Sequence, residues 1–147
     1  MNIHIIQPTD SLWLPVAEYA GTCSWGAGER MAAAMKESGF NDCERLFVAE
    51  ENGDFMGFCA LTNPQNFPVI AEYNPWIRWV FVDEKYRGRR LSQKLLEAVA
   101  DYAKTLGYDK VFLSTWHIGL YEKYGFVKIC EKEMREGYYE GIYEKKI

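Results

Sequence analysis

The sequence predicts an α/β fold with a mixed sheet, and its central segments carry this prediction. Residues 76–82 are nearly all apolar, as is typical of a strand covered on both faces. A helical stripe of apolar residues follows from Arg89 to Leu106, and then a short apolar strand, Val111–Leu113. Strand, helix and strand of these lengths predict a right-handed βαβ unit with parallel strands. A predicted hairpin before this unit makes the first half of the sheet antiparallel, and a second predicted hairpin follows the unit.

The elements before the central unit follow from helix and turn signals. In order they are a strand, two helices, the two strands of a hairpin and a loop: residues 2–6, 11–20, 28–38, 45–51, 54–62 and 63–74. Gly39 is expected to end the second helix. The Asn52-Gly53 pair favours a tight hairpin turn, because both positions of that turn need positive φ.

After the central unit, the sequence predicts one more helix and a closing hairpin. These elements are a short helix and two strands: residues 117–124, 126–134 and 138–145. Gly107 is expected to end the central helix, since glycine adopts the left-handed conformation that follows many helix ends. The buried stripe of that helix is predicted from its spacing to be Leu91, Leu95, Val99, Tyr102 and Leu106.

Length and composition restrict the function. The chain has 147 residues without an internal repeat or a linker, so one domain over residues 1–147 is predicted. A net charge of −4 argues against a nucleic-acid-binding protein, which usually has a basic excess. No apolar run approaches the ~20 residues that span a bilayer, and no signal peptide is recognised, so a cytoplasmic protein without membrane partners is expected. The four cysteines and two histidines are widely spaced, and no metal site is expected.

A basic segment lies between the central strand and the central helix. Residues 85–94 carry five positive charges and no acid, although the whole chain is acidic. The start of a helix offers backbone N–H groups and about half a positive charge, which favours anions. Gly88 permits close backbone approach, and arginines can bind phosphate with two parallel hydrogen bonds. The segment therefore indicates a phosphate-bearing ligand, although a solvated basic face is an equally good interpretation of the charge alone.

Two motifs resemble those of one enzyme family. Residues 82–92, Val-Asp-Glu-Lys-Tyr-Arg-Gly-Arg-Arg-Leu-Ser, resemble the pyrophosphate-binding motif of the GNAT acetyltransferases, [RQ]-x-x-G-x-[GA] after a strand. Residues 120–126, Leu-Tyr-Glu-Lys-Tyr-Gly-Phe, resemble the family's second signature. The order and spacing of the motifs also fit, and the resemblance covers nearly the whole chain. Arg90 departs from the family by replacing the inner glycine, and Ser92 replaces the last small residue. We expect Arg90 to be tolerated because the helix start gives it an α-helical backbone.

The resemblance implies a GNAT-like fold, an N-acetyltransferase activity and acetyl-CoA as co-substrate. Phe81 and Val82 would offer main-chain groups to the pantetheine arm, as an added strand would. The pyrophosphate would be held by the residues of the first motif, which are Arg87, Gly88, Arg89, Arg90, Leu91, Ser92 and Gln93. The acetyl group would pass directly to a small-molecule amine or a peptide amine. Family members often pair as dimers, and a homodimer stays open here.

Three residues are candidates for proton transfer. Tyr121, in the second motif, would lie near the thioester sulfur and act as general acid, although a core aromatic is the structural alternative. His117 lies four residues earlier, so on a helix the two side chains would share a face and His117 could relay protons. Glu72, just before the central strand, could act as base, with a solvated loop carboxylate as its alternative. Arg78 within the apolar strand must pair with an acid or face the substrate.

The acceptor is not identified by the sequence. The regions that shape the acceptor pocket in the family carry aromatic residues beside acids, which suit a cationic amine: Trp13, Trp25, Phe67, Tyr73 and Trp76 with Glu18, Glu29 and Glu72. These aromatics could equally be core and rim. A polyamine, an aminoglycoside-like amine, an amino acid and a protein N-terminus all remain open. The rival function is an acyl-CoA-binding sensor without catalysis.

Overall fold

Among the residues that the structure describes, the strands form one mixed sheet of seven, in the order β1-β2-β3-β4-β5-β7-β6. The computed structural model describes residues 1–37 and 39–147. The strands are β1 (Asn2–Ile6), β2 (Arg45–Glu51), β3 (Asp54–Thr62), β4 (Trp76–Val82), β5 (Lys110–Thr115), β6 (Val127–Arg135) and β7 (Tyr138–Lys146). The helices are α1 (Trp13–Thr22), α2 (Ala27–Lys36) and α3 (Leu91–Thr105), with 3₁₀ helices at Glu84–Tyr86 and Tyr121–Tyr124. The predicted α/β class is confirmed. Among the described residues, none of the helices has the length and apolar character needed to cross a membrane.

The chain divides into two compact units. The first consists of Met1–Thr62 and Arg78–Val99, and the second of Asn63–Ile77 and Ala100–Ile147. Both β4 and α3 therefore contribute residues to each unit. The single domain over residues 1–147 stays a prediction.

The first unit begins with an antiparallel meander. β1 pairs with β2, and β2 pairs with β3, both antiparallel, as predicted for the first half of the sheet. Asn52 and Gly53 have φ of 55° and 85°. These are the left-handed conformations that a tight primed turn requires, so the hairpin predicted from this dipeptide is confirmed.

The helices α1 and α2 supply much of the core of the first unit. Their buried residues join apolar residues of β2, β3 and β4 in one cluster, which includes Val16, Ala20, Met31, Leu46, Phe58 and Phe81. Trp13 is 4% exposed, and its indole Nε1 donates to the backbone oxygen of Met35 at 3.0 Å. The helices were predicted over 11–20 and 28–38; they run over 13–22 and 27–36, and Ser38 lies outside the described residues.

The second unit contains the parallel pair and the closing hairpin. Trp76 of β4 pairs with Phe112 of β5 in parallel, which confirms the predicted parallel strands. β7 pairs antiparallel with both β5 and β6, and Gly137 turns the hairpin with φ of 76°. One buried cluster of this unit consists of Ile70, Tyr73, Trp76 and Ile142, with Phe112, Cys130 and Met134 packed against it.

The predicted helix over residues 117–124 is wrong in its first half. Only Tyr121–Tyr124 is helical, and it forms a single 3₁₀ helix. Gly119 has φ of 86°, which no right-handed helix contains, and the backbone N–H of His117 donates to Thr115 Oγ1 at 3.0 Å. His117 and Tyr121 therefore do not share a helical face.

Two predictions about the central unit need correction. In β4 only Trp76, Ile77 and Phe81 are buried, so the strand is not covered on both faces. Trp79 has φ of 56°, which interrupts the alternation of side chains in the middle of the strand. In α3 the exposed fraction of Leu106 is 39%, and it lies beyond the helix, while Leu96, Ala100 and Ala103 complete the buried face. Gly107, with φ of 90°, follows the helix end as predicted.

Candidate active site

The basic segment belongs to an ordered junction, residues 83–94, that leads from the end of β4 into the first turn of α3 in the first unit. Asp83 follows the strand, and its backbone N–H donates to the Met56 oxygen of β3 at 2.8 Å. Its carboxylate accepts the backbone N–H of Lys85 at 3.2 Å and so caps the 3₁₀ helix Glu84–Tyr86. A side-chain acceptor at this position is the usual way to satisfy a helix start. The junction is thus fixed to the sheet on one side and capped on the other.

Arg87 and Gly88 are exposed at the turn that follows the 3₁₀ helix. The Nε of Arg87 donates to the backbone oxygen of Val82 at 3.2 Å, which uses one of the five N–H donors of an arginine. Gly88 has φ of 86°, and a Cβ there would meet no atom within 4 Å. Glycine is therefore required for backbone conformation and not for space. The open surface above it is suited to a ligand that approaches the main chain.

Arg89 is held by an acid of the neighbouring hairpin. Its Nη2 lies 3.0 Å from Glu51 Oε2 at the end of β2, and its guanidinium lies 6.0 Å from the ring centre of Tyr86. The hydrogen bond and the positive charge of Arg89 lower the pKa of the Glu51 carboxyl. Both side chains are partly exposed to solvent, so the pair contributes little to stability. Its consequence is to orient one guanidinium of the basic segment.

Arg90 does not have the α-helical backbone that the sequence predicted. Its φ is 58°, in the left-handed region, and α3 begins only at Leu91, which is 2% exposed and anchors the helix. The first hydrogen bond of the helical ladder runs from Lys94 N to Arg90 O at 3.1 Å, so the backbone amides of Ser92 and Gln93 lie in its first turn. The side chain of Gln93 donates to Glu97 Oε1 at 3.0 Å. The family glycine is therefore replaced at a position where glycine is conformationally favoured.

We expect an Arg90→Gly variant to be more stable than an Arg90→Ala variant, by about 1 kcal/mol in the free energy of unfolding. A left-handed residue with a Cβ costs about 1–2 kcal/mol, and this exceeds the entropy that glycine adds to the unfolded chain. Urea denaturation of the two variants measures the difference. An alanine variant that is the more stable would show that residue 90 is right-handed helical, where alanine is favoured.

Phe81 and Val82 lie where β4 passes β3 at close range. A Cβ on Gly57 of β3 would lie 2.5 Å from the Phe81 oxygen, so only glycine fits beneath this part of β4. The ring of Phe81 is buried and stacks on Trp25 with centroids 5.9 Å apart. The Val82 oxygen accepts the Arg87 side chain. Main-chain groups of this segment thus pack closely against β3, and the Val82 carbonyl already accepts one hydrogen bond.

Tyr121 lies in the second unit, in the first position of its 3₁₀ helix. The exposed fraction of its side chain is 9%, and its ring meets those of Tyr124 and Phe126 edge-on, with centroids 6.3 and 6.0 Å apart. Gly125 ends the helix with φ of 92°, and the N–H of Phe126 returns to the Tyr121 oxygen at 3.2 Å. The Gly-Phe step therefore fixes the backbone of Tyr121.

The other two candidates for proton transfer are exposed. His117 lies in the loop after β5, where its ring stacks on Trp116 with centroids 3.9 Å apart. Glu72 lies in the loop before β4. It hydrogen-bonds to the neighbouring Tyr73, whose pKa is raised chiefly by a hydrogen bond to Cys130 and by burial, with Glu72 adding to the effect. The exposure of Glu72 is that of a solvated loop carboxylate, its structural alternative.

The electrostatic environment of Arg78 includes an acidic side chain. The negative charge of Glu44, a carboxylate only 8% exposed, favours the charged form of Arg78. Burial is the largest effect and lowers the pKa of Arg78, and the positive charge of Arg30 lowers it further. The guanidinium also lies 4.2 Å from the ring centre of Trp79. Of the aromatics considered for the acceptor pocket, Trp13, Tyr73 and Trp76 are core residues, Trp25 is half-buried and Phe67 is exposed.

Sequence reasoning missed Asp83 of the junction and Tyr19 of α1, which contacts it. Tyr19 of α1 donates its hydroxyl to Asp83 Oδ2 at 3.1 Å, across 64 residues of sequence. Asp83 could have been found as a capping residue, because an aspartate just before a helical turn is a common start signal. Nothing near Tyr19 in the sequence marks it.

Comparison with known proteins identifies the family of the chain. A family model described as "Acetyltransferase (GNAT) family" matches residues 13–126. The human protein N-acetyltransferase 8B is 29% identical over 100 residues, which cover 64% of this chain and 44% of that protein. The chain therefore spans less than half the length of this relative.

Solved structures share the fold. An aminoglycoside 6'-acetyltransferase type Ii has a TM-score of 0.76 at 16% identity, over 99% of this chain and 97% of that chain. A GNAT family acetyltransferase from Elizabethkingia anophelis, solved with acetyl-CoA bound, has a TM-score of 0.67 at 18% identity, with coverage of 99% and 97%. The structural likeness extends over the whole chain, and the matched model includes both motifs, so the chain belongs to the GNAT family of acetyltransferases.

Proposed function

We propose that this protein transfers the acetyl group of acetyl-CoA directly to a primary amine. Membership of the acetyltransferase family and the acetyl-CoA complex of a structural neighbour support acetyl-CoA as the co-substrate. The observation that carries the proposal is the junction from β4 to α3, with the exposed Arg87 and Gly88 ahead of the first turn of a helix. The amides of that turn and the guanidinium groups suit a diphosphate.

The residues of the junction fit this ligand. Arg87 would bind the diphosphate through terminal nitrogens that its bond to Val82 does not use. Gly88 offers main-chain approach, and Arg89, Arg90, Leu91, Ser92 and Gln93 supply the remaining turn. Phe81 and Val82 would present main-chain groups to the pantetheine arm. The co-substrate supplies the acetyl thioester, and the chain supplies position and proton transfer.

Transfer requires a neutral amine and a protonated leaving group. A free alkylamine has a pKa of about 10.4, so a base or a water chain must accept its proton; Glu72 and His117 are the candidates. The amine nitrogen then forms a bond to the carbonyl carbon as the carbon–sulfur bond breaks. Tyr121 would donate its hydroxyl proton to the departing sulfur, since a phenol is a competent acid for a thiolate. The nitrogen of the new amide would lose its extra proton to solvent, and solvent would return a proton to the tyrosinate. Holding both reactants together would supply much of the rate.

Neither motif contains a cysteine, so a covalent acyl-enzyme is not needed. The four cysteines lie at residues 23, 43, 59 and 130, outside both motifs. We also propose a cytoplasmic location, on the sequence features that predicted one.

The experiment is acetylation of an amine panel: a polyamine, an aminoglycoside, an amino acid and a peptide with a free N-terminus. We expect a product with the mass of the acetylated amine for one class, with stoichiometric release of coenzyme A. Product mass is the primary readout, because the exposed Cys43 would react with a thiol reagent. Saturable acetyl-CoA binding without product from any class would favour the sensor function instead.

A further inference from the structure

We propose that Tyr19 of α1 is a positioning residue for coenzyme binding, and that it acts by fixing Asp83 at the start of the β4–α3 junction. This inference rests on the proposed function. It concerns a residue that lies outside both sequence motifs. Tyr19 would not contact the coenzyme itself.

Asp83 is the point from which the junction is held. Its two carboxylate oxygens have different donors: Oδ2 accepts the Tyr19 hydroxyl at 3.1 Å, and Oδ1 accepts the backbone N–H of Lys85 at 3.2 Å. Its own N–H and C=O are engaged by Met56 O at 2.8 Å and by Tyr86 N at 2.9 Å. The residue is therefore fixed from β3, from α1 and from within the junction.

The position of Asp83 affects the positions of the basic groups that follow it. Val82, the residue before Asp83, provides the oxygen that accepts Arg87 Nε at 3.2 Å. The 3₁₀ helix that Asp83 caps leads directly to Arg87 and Gly88. A change in the orientation of Asp83 would thus move both the carbonyl that anchors Arg87 and the helix that precedes it.

The side chain of Tyr19 is itself held firmly. Its ring packs against Phe55 and Phe58 with centroids 5.6 and 6.0 Å apart. Burial, followed by the negative charge of Asp83 and the hydrogen bond to it, raises the pKa of the Tyr19 hydroxyl above its usual value. The hydroxyl therefore stays protonated and donates to Asp83 at any pH at which the enzyme would work.

Asp83 also carries a negative charge beside a site proposed for an anion. With both of its oxygens engaged by donors, the carboxylate is kept in place and does not compete with the diphosphate for Arg87. Removal of the Tyr19 hydroxyl would free Oδ2. The carboxylate could then rotate towards the arginines, which would weaken the binding of the diphosphate.

The test is the affinity of the full chain for coenzyme A, measured by titration calorimetry, with the turnover of acetyl-CoA measured alongside. Tyr19→Phe keeps the ring and removes the donor, and we expect about tenfold weaker binding, the loss typical of a hydrogen bond to a charged group. We expect the turnover number at saturating acetyl-CoA to stay within about twofold, because the lost contact affects binding alone. Tyr139→Phe, at an exposed tyrosine of β7, is the matched control and should bind like the unchanged protein.

Two substitutions of Asp83 separate position from charge. Asp83→Asn can still accept from Lys85 and donate to the Tyr19 oxygen, so we expect its affinity to match or exceed that of the unchanged protein. Asp83→Ala loses both contacts and should bind weakly, and adding Tyr19→Phe to it should cause no further loss.

Equal affinities for Tyr19→Phe and the unchanged protein would overturn the inference. So would a lower melting temperature with no change in affinity, since that would make Tyr19 a purely structural residue. If the unchanged protein itself does not bind coenzyme A, both the inference and the proposed function fail.

Discussion

Replacing Tyr121 with phenylalanine is expected to lower the turnover number by about 10²-fold, the loss typical of removing a general acid. The substitution removes only the hydroxyl. The buried ring keeps its edge-on contacts with Tyr124 and Phe126, so the local packing should survive. The affinity for acetyl-CoA should stay within about twofold, because an interaction made only in the transition state affects turnover and not ground-state binding. Steady-state kinetics with saturating amine, together with coenzyme titration, measure both quantities.

Tyr124→Phe is the matched control for this experiment. It removes a hydroxyl from the same 3₁₀ helix, three residues later, and should leave the rate nearly unchanged. An unchanged rate in Tyr121→Phe would remove Tyr121 from the mechanism and leave it a core aromatic.

The second large effect is expected from Arg87→Glu, which should weaken the binding of coenzyme A by about 30-fold at low salt. The change removes charge-assisted hydrogen bonds, each worth about 1.5–3 kcal/mol, and places a negative charge beside the diphosphate. It also removes the bond from Arg87 Nε to the Val82 oxygen. Because exposed charges are screened, the difference between the variant and the unchanged protein should shrink as salt increases.

Arg135→Glu controls for the altered net charge of the chain. Arg135 is an exposed residue of β6 whose guanidinium lies over the ring of Tyr138, and the same charge reversal there should leave coenzyme affinity unchanged. Calorimetric titrations at two salt concentrations complete the comparison. If both variants bind coenzyme A as tightly as the unchanged protein, the assignment of phosphate binding to this turn is wrong.

The sequence predicted best the elements whose signals are local. The hairpin around Asn52-Gly53 and strand β4 were predicted with the bounds that the structure gives, because turn chemistry and an apolar run are properties of adjacent residues. The prediction of a helix over 117–124 was wrong in its first half because Gly119 adopts a positive φ and the Thr115 side chain accepts the N–H of His117. A local rule could have flagged Gly119, since glycine weakens a helix interior.

The features of the site that sequence reasoning missed depend on distant contacts. Arg90 is left-handed because the chain must turn from an exposed loop into a helix that begins at the buried Leu91, and no propensity of arginine predicts that. The bond from Tyr19 to Asp83 and that from Arg89 to Glu51 join residues 64 and 38 positions apart. Only the folded arrangement of α1, β2 and the junction brings these groups together.

The most direct test is a crystal structure of the protein with acetyl-CoA. The proposed function predicts phosphate oxygens within hydrogen-bonding distance of the Arg87 guanidinium and of backbone N–H groups in the first turn of α3. It also predicts that the thioester sulfur lies beside the Tyr121 hydroxyl. A nucleotide bound elsewhere, or a Tyr121 hydroxyl directed away from the sulfur into packed side chains, would contradict it.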